Sequence, residues 1–291
     1  MKRSIKLLFV LSLCTLLQAS ATAQRVDKKL TAKLEELLTG FQGDLGVYVH
    51  DLRKDRVAAI GADSIFPTAS MIKVPILVGV MEKAEAGSLQ FNQELIYKDS
   101  LLYEGEDILG SFKAGEKIQL GKAVMLMLTM SDNTASLWLQ SLAGGGARIN
   151  ELMDSAGFQF TRVNSRTPGR EDKRKQYGWG QTTPREMAGL IERIVKGDLI
   201  NKAASSKMLR LLGRNYWDEH AISAVPAGVF IANKNGAVDG SRSEVLYVNG
   251  EGRSYIFCIC TKNIQDQRWE NNNEAWQLAT KVSKLLWDYF K

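Results

Sequence analysis

Ser70-Met71-Ile72-Lys73 places a hydroxyl and an amine three residues apart at the start of an apolar, helix-like segment. In a helix, that spacing puts both side chains on one face, one turn apart. A serine hydroxyl is a weak nucleophile, and a desolvated lysine beside it can take its proton without any histidine. The pattern Ser-x-x-Lys occurs nowhere else in the chain. Taken alone, it is better explained as a serine at a helix N-terminus followed by a surface lysine.

A second polar group, Ser131-Asp132-Asn133, interrupts a strongly apolar helical region over residues 120–142. If these side chains are buried there, they need hydrogen-bond partners. The hydroxyl could pass a proton to a leaving nitrogen, and the amide could hold a substrate carbonyl group. The alternative is a helix N-cap, which all three residue types favour. For this motif alone, the N-cap is the better explanation.

A third group, Lys234-Asn235-Gly236, ends a strand-like run. A lysine that points inward from a strand usually needs a partner, and a glycine lets a ligand approach the backbone. The backbone N–H of Ala237 could then form an oxyanion hole with the N–H of Ser70. Asn-Gly is also a strong hairpin-turn dipeptide, and by itself that explanation is the better one.

Together, and in this order, the three motifs resemble the signature of the penicillin-recognising serine enzymes. The intervals are 61 residues from Ser70 to Ser131 and 103 residues from Ser131 to Lys234. They are similar to those of class A β-lactamases, and the resemblance covers essentially the whole chain after residue 23. It implies an α/β fold in which an antiparallel sheet is built from both chain ends, with flanking helices and an all-helical lobe.

The resemblance also implies a role for each motif residue. Ser70 would be the nucleophile that forms an acyl-enzyme, with Lys73 as its base. Ser131 would relay a proton to the leaving nitrogen, and Asn133 would bind the substrate's amide side chain. This chemistry needs no cofactor and no metal, and we expect neither.

The loop over residues 164–171 departs from the family. Class A enzymes carry a Glu directly before a Pro in this loop and an Asn four residues beyond that Glu. The pair positions the water that cleaves the acyl-enzyme. Here Thr167 stands where the Glu belongs, and Glu171 stands where the Asn belongs. Because a threonine cannot act as a carboxylate base, we expect acylation to survive and deacylation to be slow, unless Glu171 takes over as the base.

Asn235 is a second departure, because the family usually has Thr or Ser at this position. The resemblance implies that Lys234, together with Arg242, attracts the substrate carboxylate. The amide of Asn235 can still donate a hydrogen bond, but it is larger than a hydroxyl. This weakens the case for ordinary penicillins as natural substrates and leaves the case for acyl transfer intact.

Composition excludes several other function classes. The 291 residues include 2 His and 3 Cys, which are too few for the usual zinc cages and disfavour a Ser-His-Asp triad. Residues 1–23 hold three basic residues and no acidic ones, so their removal lowers the formal net charge from +6 to +3. This mild charge gives no reason to expect a nucleic-acid partner.

The first 23 residues resemble a secretion signal, with a basic start, an apolar run from Leu7 to Leu17 and small residues at 21–23. A retained membrane anchor is the alternative, but the apolar run is shorter than the roughly 20 residues that span a bilayer. We therefore expect a mature chain from Gln24 that is periplasmic or secreted and has no membrane association after cleavage. We expect it to act as a monomer on a small β-lactam or peptidoglycan-like substrate.

Periodicity and turn signals organise the rest of the chain. Thr183, Pro184 and Glu186 predict a helix start with a capping box, whereas residues 162–182 lack a clear period, as functional loops do. We expect one catalytic domain over 24–291, with an α/β part at about 24–68 and 214–291 and a helical lobe at about 69–213. The predicted helices are 28–39, 70–86, 120–142 (interrupted at 131–133), 147–156, 184–195, 201–212 and 278–289, and the predicted strands are 45–50, 57–60, 229–233, 245–248 and 254–261.

Three functions compete for this sequence. The first is a β-lactamase, of fast or slow turnover, that acts through an acyl-enzyme. The second is a related exported hydrolase of D-Ala peptides or esters, for which the missing loop Glu is expected. The third is a binding protein that has lost turnover, which the joint presence of Ser70, Lys73, Ser131, Asn133 and Lys234 argues against. Chain length and the loop framework favour the first.

Overall fold

The computed structural model describes residues 24–103 and 107–291, so the predicted secretion signal lies outside the described residues. No helix within these two ranges is long and apolar enough to cross a bilayer. Their strands are β1 (Arg25–Val26), β2 (Asp44–Asp51), β3 (Arg56–Ile60), β4 (Phe66–Pro67), β5 (Glu94–Ile96), β6 (Lys117–Gln119), β7 (Arg162–Val163), β8 (Gly180–Thr182), β9 (Phe230–Val238), β10 (Ser241–Gly250) and β11 (Arg253–Lys262). Their α-helices are α1 (Lys28–Leu38), α2 (Lys73–Glu85), α3 (Leu120–Met125), α4 (Asn133–Leu142), α5 (Gly145–Ser155), α6 (Glu171–Tyr177), α7 (Pro184–Lys196), α8 (Lys202–Leu212) and α9 (Glu274–Tyr289).

Six of these strands form the main sheet, in the order β1-β3-β2-β11-β10-β9. β2 pairs antiparallel with β11, with Val49 opposite Phe257, so both ends of the chain meet at the centre of the sheet. The predicted sheet from both chain ends is thus confirmed. One edge differs from the expectation, because β1 runs parallel to β3, with Val26 opposite Val57. A strand of two residues is too short to show an alternating pattern in the sequence.

The two faces of the sheet pack on different cores, because successive residues of a strand point to opposite faces. One face packs on α1 and α9 through an apolar cluster that includes Leu34 and Phe257. The other face packs on the helices between β4 and β9 through a cluster that includes Ile76 and Val245. Lys234 lies opposite Val245 on the edge strand β9, so it shares the face that meets these helices.

α2 is the central helix of the group between β4 and β9. Its residues from Lys73 to Met81 are all buried, and a helix that is buried all round belongs in a core. A 3-10 turn over Ala69–Ile72 leads into it, so the helix predicted from Ser70 begins with a tighter turn. Gly79 allows α5 to pack closely on α2, since a Cβ there would lie 2.9 Å from the Ile149 side chain.

Two regions differ from the sequence-based expectation. Residues 162–182 were expected to be a loop, but they contain β7, α6 and β8. Because α6 has no buried residue, no apolar period marks it in the sequence. Between α3 and α4, residues Leu126–Met130 form a π-helical turn, which an apolar pattern does not distinguish from an α-helix.

The start of α7 retains only half of the predicted capping box. The Thr183 side chain accepts a hydrogen bond from the Glu186 amide at 3.1 Å, as predicted. The Glu186 carboxylate, however, accepts the amides of Gln159 (2.7 Å) and Thr161 (2.6 Å). The carboxylate thus ties the segment before β7 to α7 and does not cap its own helix.

Candidate active site

Ser70 lies half-buried in the 3-10 turn that precedes α2. Its neighbour Ala69 has φ of 43°, a left-handed conformation that residues other than glycine rarely adopt. Backbone hydrogen bonds fix the turn, from Thr68 N–H to the Gly180 carbonyl and from Met71 N–H to the Thr68 carbonyl, both 3.0 Å. Backbone strain of this kind is concentrated at functional sites, and here it lies directly before Ser70.

Lys73 brings three of the predicted site residues together at one atom. Its Nζ lies 2.9 Å from Ser70 Oγ and 2.9 Å from Asn133 Oδ1. It also lies 3.0 Å from Ser131 Oγ and 2.5 Å from the Ser131 carbonyl oxygen. An ammonium group has only three N–H donors, so four contacts are one more than it can serve. A neutral amine can instead accept the proton of a serine hydroxyl.

The environment of Lys73 favours this neutral form. The side chain is fully buried, and the cost of desolvating its charge, followed by repulsion from Lys234, holds its pKa well below the ordinary 10.5. Attraction from Asp107 and Asp132 opposes this shift only in part. Lys73 therefore has the position and the electrostatic environment of a general base for Ser70.

The π-helical turn before α4 leads directly into the Ser131-Asp132-Asn133 motif. Ser131 follows the turn in a left-handed conformation, with φ of 61°. Asp132 is the N-cap of α4, and it accepts the amides of Ala135 (2.7 Å) and Leu109 (2.9 Å). The N-cap explanation is thus correct for Asp132, while the side chains of Ser131 and Asn133 face Lys73.

β9 forms the opposite wall of the site. A Cβ on Gly236 would lie 2.7 Å from the Ser70 nitrogen and 2.6 Å from the Thr68 carbonyl oxygen. Only glycine therefore lets the strand reach the turn that carries the nucleophile. The close approach sets β9 against the turn that carries Ser70, and Ala237 is the next residue of that strand.

Lys234 is the second fully buried lysine of the site. Its Nζ donates to the carbonyl oxygen of Asn235 at 2.9 Å and to Asn235 Oδ1 at 3.1 Å. Burial lowers its pKa to about 7, against the attraction of Glu244. The side chain of Asn235 is held from the other side by Asn215 Nδ2, at 3.4 Å from the same Oδ1. Among the described residues, no acceptor takes either Nδ2 hydrogen of Asn235.

Glu244 is a buried carboxylate that lies outside the three sequence motifs. It lies opposite Asn235 in β10 and is fully buried. It accepts hydrogen bonds from Asn233 Nδ2 (3.0 Å) and the Ala221 amide (3.2 Å). Burial raises its pKa to about 7. A single carboxylate inside the apolar run of β10 was the available signal.

The guanidinium of Arg242 is already occupied by contacts within the protein. Its guanidinium donates to the carbonyl oxygens of Val238 (2.6 Å), Ser241 (2.9 Å) and Arg268 (2.8 Å). The ring of Trp269 covers it, at 4.6 Å from the ring centroid. These contacts tie the β9–β10 turn to the segment before α9, and the structure shows no contact between Arg242 and Lys234.

The structure does not bring Thr167 or Glu171 to the nucleophile. Thr167 Oγ1 donates to the Ser165 carbonyl at 2.9 Å and faces α5, where a Cβ on Gly146 would lie 1.8 Å from it. Glu171 is exposed at the start of α6 and accepts the Gly169 amide at 3.1 Å. In residues 24–103 and 107–291, no carboxylate is hydrogen-bonded to Ser70 or Lys73.

Comparisons with known proteins agree with this fold. The family described as the beta-lactamase enzyme family matches residues 29–290. The solved structure of a protein named PBP-A superposes with a TM-score of 0.81 at 23% identity, over 92% of this chain and 97% of that chain. A class A β-lactamase from Mycobacterium abscessus superposes with a TM-score of 0.79 at 21% identity, over 90% and 99%. A mutant of PBP-A, solved as an acyl-enzyme complex with penicillin G, also gives 0.81 at 23% identity, over 92% and 98%.

Proposed function

The chain belongs to the β-lactamase enzyme family, and from that membership we propose that it is a serine hydrolase that opens β-lactam amides through an acyl-enzyme on Ser70. The observation that carries the proposal is the position of the Lys73 amine, 2.9 Å from Ser70 Oγ and 3.0 Å from Ser131 Oγ. One buried amine can therefore serve both the nucleophile and the group that protonates the leaving nitrogen.

Acylation begins with a proton transfer from Ser70 to Lys73. The neutral amine takes the hydroxyl proton while Oγ attacks the β-lactam carbonyl carbon, and the carbonyl oxygen becomes an oxyanion. The backbone N–H groups of Ser70 and Ala237 would stabilise this oxyanion. Asn133, next to the amine, would hold the amide side chain of the substrate.

The C–N bond then breaks, and the leaving nitrogen needs a proton. Ser131 donates its hydroxyl proton to that nitrogen and regains one from the Lys73 ammonium, which lies 3.0 Å away. Lys73 returns to its neutral form, and the products of the step are an ester on Ser70 and a free amine. The proton count therefore balances without a histidine.

The substrate carboxylate would bind at β9. Lys234 supplies the positive charge, and Asn235 supplies its two Nδ2 hydrogens. Because Lys234 and Asn215 both donate to Asn235 Oδ1, the orientation of that amide is fixed before a substrate arrives. An amide thus takes the place of the hydroxyl that the family usually has here.

We expect deacylation to be slow. Hydrolysis of the ester requires a base for the attacking water, and Thr167, which stands at the family's Glu position, faces α5. Glu171 is exposed and is engaged by the Gly169 amide. The proposal is therefore an enzyme that acylates readily and releases its product slowly.

A hydrolase of D-Ala peptides or esters is the second candidate. The absence of a carboxylate bonded to Ser70 or Lys73 among the described residues favours it, because such relatives do not rely on the loop Glu. Both candidates share acylation of Ser70 and differ in which acyl donor turns over. Residues 1–23 would direct either enzyme to the periplasm or the medium, and N-terminal sequencing of exported protein should begin at Gln24.

Intact-mass measurement over time after addition of penicillin G, beside a Ser70→Ala control, tests the proposal. We expect an adduct on the wild type that disappears slowly, and no adduct on the control. Rapid disappearance with product formation would contradict slow deacylation. A stable adduct combined with turnover of a D-Ala peptide or ester would select the second candidate. A protein that no β-lactam modifies would refute the proposal.

The Glu171→Gln variant tests whether Glu171 is the base for deacylation. Because the Glu171 carboxylate is exposed and accepts the Gly169 amide, we expect the adduct to decay within twofold of the wild-type rate. A decay that is tenfold slower or more would show that Glu171 activates the water in the acyl-enzyme.

A further inference from the structure

The segment Asn215–Trp217, between α8 and β9, connects the two walls of the site. The Trp217 indole Nε1 donates to the Met130 carbonyl at 3.1 Å, and the Tyr216 amide donates to the Thr129 carbonyl at 3.1 Å. Asn215 joins the segment to β9. Its Oδ1 accepts the Trp217 amide at 3.1 Å, and its Nδ2 donates to Asn235 at 3.4 Å.

The two carbonyl groups that receive these bonds lie at the end of the π-helical turn. The last carbonyls of a helix have no partner within the helix and need donors from elsewhere. Ser131, which follows the turn, has a left-handed backbone conformation. This conformation is unfavourable for any residue other than glycine. Donors from outside the helix are therefore well placed to stabilise this conformation.

We propose that Trp217 is a positioning residue for Ser131, because its indole N–H fixes the Met130 carbonyl and thereby the direction of the Ser131 hydroxyl. This inference rests on the proposed function, in which Ser131 protonates the leaving nitrogen. Trp217 does not touch the reacting atoms. It acts through the backbone of the residue that precedes the proton donor.

The proposal predicts an effect that depends on the leaving group. An amine leaves only when it is protonated, so opening of a β-lactam needs a correctly directed Ser131. A thiolate leaves without a proton, so acyl transfer from a thioester does not need Ser131. Loss of the indole N–H should therefore slow acylation by the β-lactam and spare acylation by the thioester.

The experiment compares Trp217→Phe with wild type, using two acyl donors that carry the same phenylacetylamino group. The donors are penicillin G and an acyclic thioester, and the measurement is the second-order rate constant for acylation of Ser70. We expect a loss of about 10- to 100-fold with penicillin G, a fraction of the roughly 10²–10⁴-fold that a complete acid catalyst contributes. With the thioester we expect less than a threefold change.

A Ser131→Ala background provides the second arm. If Trp217 acts through Ser131, adding Trp217→Phe to Ser131→Ala should change penicillin acylation by less than twofold, because coupled residues are not additive. Trp287→Phe is the matched control, since Trp287 lies on α9 in the other core. It tests the loss of an indole in general and should leave both acylation rates unchanged.

Each other outcome overturns the inference. Equal losses with both donors would mean that Trp217 only supports the fold of the site. No loss with penicillin G, or an additive loss in the Ser131→Ala background, would separate Trp217 from Ser131. These results differ from failure of the proposed function, in which the wild-type protein accepts neither donor.

Discussion

Lys73 and Lys234 are two buried lysines that need opposite charge states for the proposed reaction. Lys73 must be neutral to accept the Ser70 proton, and Lys234 must be charged to attract a carboxylate. Burial lowers the pKa of both. The attraction of Glu244 supports the charged form of Lys234, whereas Lys73 is further disfavoured as a cation by Lys234 itself.

The pH profile of kcat/KM should report both groups. The rate should rise as Lys73 loses its proton and fall at higher pH as Lys234, with a pKa of about 7, loses its own. In Lys234→Arg, the guanidinium stays charged at all accessible pH values. We therefore expect the alkaline limb to move up by more than one pH unit, measured with penicillin G between pH 5 and 10.

A Lys234→Arg profile with an unchanged alkaline limb would assign that limb to another group. Lys262→Arg is the matched control, because Lys262 lies in β11 with its amine bound to the Ile65 carbonyl at 3.1 Å. That exchange should leave the profile unchanged.

The core of the site could be predicted from the sequence because each motif combines residues that are close in the chain. Ser70 and Lys73 share a helical turn, and their relation to Ser131 is implied by the family resemblance that the order and intervals of the motifs carry. The positions of Asn215 and Glu244 could not be predicted this way. Their contacts with Asn235 and Asn233 depend on the register of β9 and β10 and on the path of the segment after α8.

At the scale of elements, the contact between α5 and the loop that precedes α6 depends on a single glycine. Gly146 lies where a Cβ would be 1.8 Å from Thr167 Oγ1 and 3.1 Å from a methyl of Val163. The same loop is held to α4 by Gln140, which donates to the Ser165 carbonyl at 2.6 Å. The loop is therefore packed on two helices from its inner side.

Gly146→Ala should destabilise the protein by about 1–3 kcal/mol, the usual cost of overpacking. Thr167→Ala in the same background should recover part of this loss, because it removes the hydroxyl that the new methyl meets. Urea unfolding measures both effects. Gly189→Ala in α7 is the control, since its Cβ would meet only Phe158, at 3.5 Å. It should be neutral or stabilise by up to about 1 kcal/mol. Equal changes in unfolding free energy for Gly146→Ala and Gly189→Ala would refute the close contact between Gly146 and Thr167.

Elements were predictable where a face is buried and unpredictable where none is. α7 shows a strong apolar period and a clear start at Thr183 and Pro184, and its observed bounds are within a residue or two of the expected ones. α6 buries nothing and left no pattern. The sequence places the Glu186 carboxylate in its own helix cap, but the amides of Gln159 and Thr161, which are distant in sequence, bind it instead.

On the scale of the whole molecule, His50 joins the sheet to the helical lobe. It is buried in β2, with Nδ1 2.8 Å from Glu192 of α7 and Nε2 2.9 Å from Asp55 of the β2–β3 turn. Burial alone would lower its pKa, but hydrogen bonds to Glu192 and Asp55 and the charges of both outweigh burial. The pKa of His50 is therefore raised above 6.5.

A raised histidine pKa stabilises the fold at low pH. The contribution is fully present below the unfolded-state pKa of about 6.5 and is lost as the pH rises through the folded-state pKa. His50→Gln should therefore lower the free energy of unfolding more at pH 5.5 than at pH 8.5, by a difference no larger than the roughly 1.5–3 kcal/mol of a hydrogen bond to a charged group. Urea titrations at the two pH values measure this. A larger loss of stability at pH 8.5 than at pH 5.5 would show that folding does not raise the pKa of His50.

The pairing of β2 with β11 also governs when the protein can fold. Asp51 ends one strand and Arg253 begins the other, so the centre of the sheet joins parts of the chain that leave the ribosome far apart in time. At about 5–20 residues per second, the interval is on the order of 10–40 s. During it, β2 has only the neighbouring β3 to pair with, and a two-stranded hairpin is at best marginally stable in water. The central sheet therefore cannot form until β11 has been synthesised, and until then the nascent chain lacks a stable folded core.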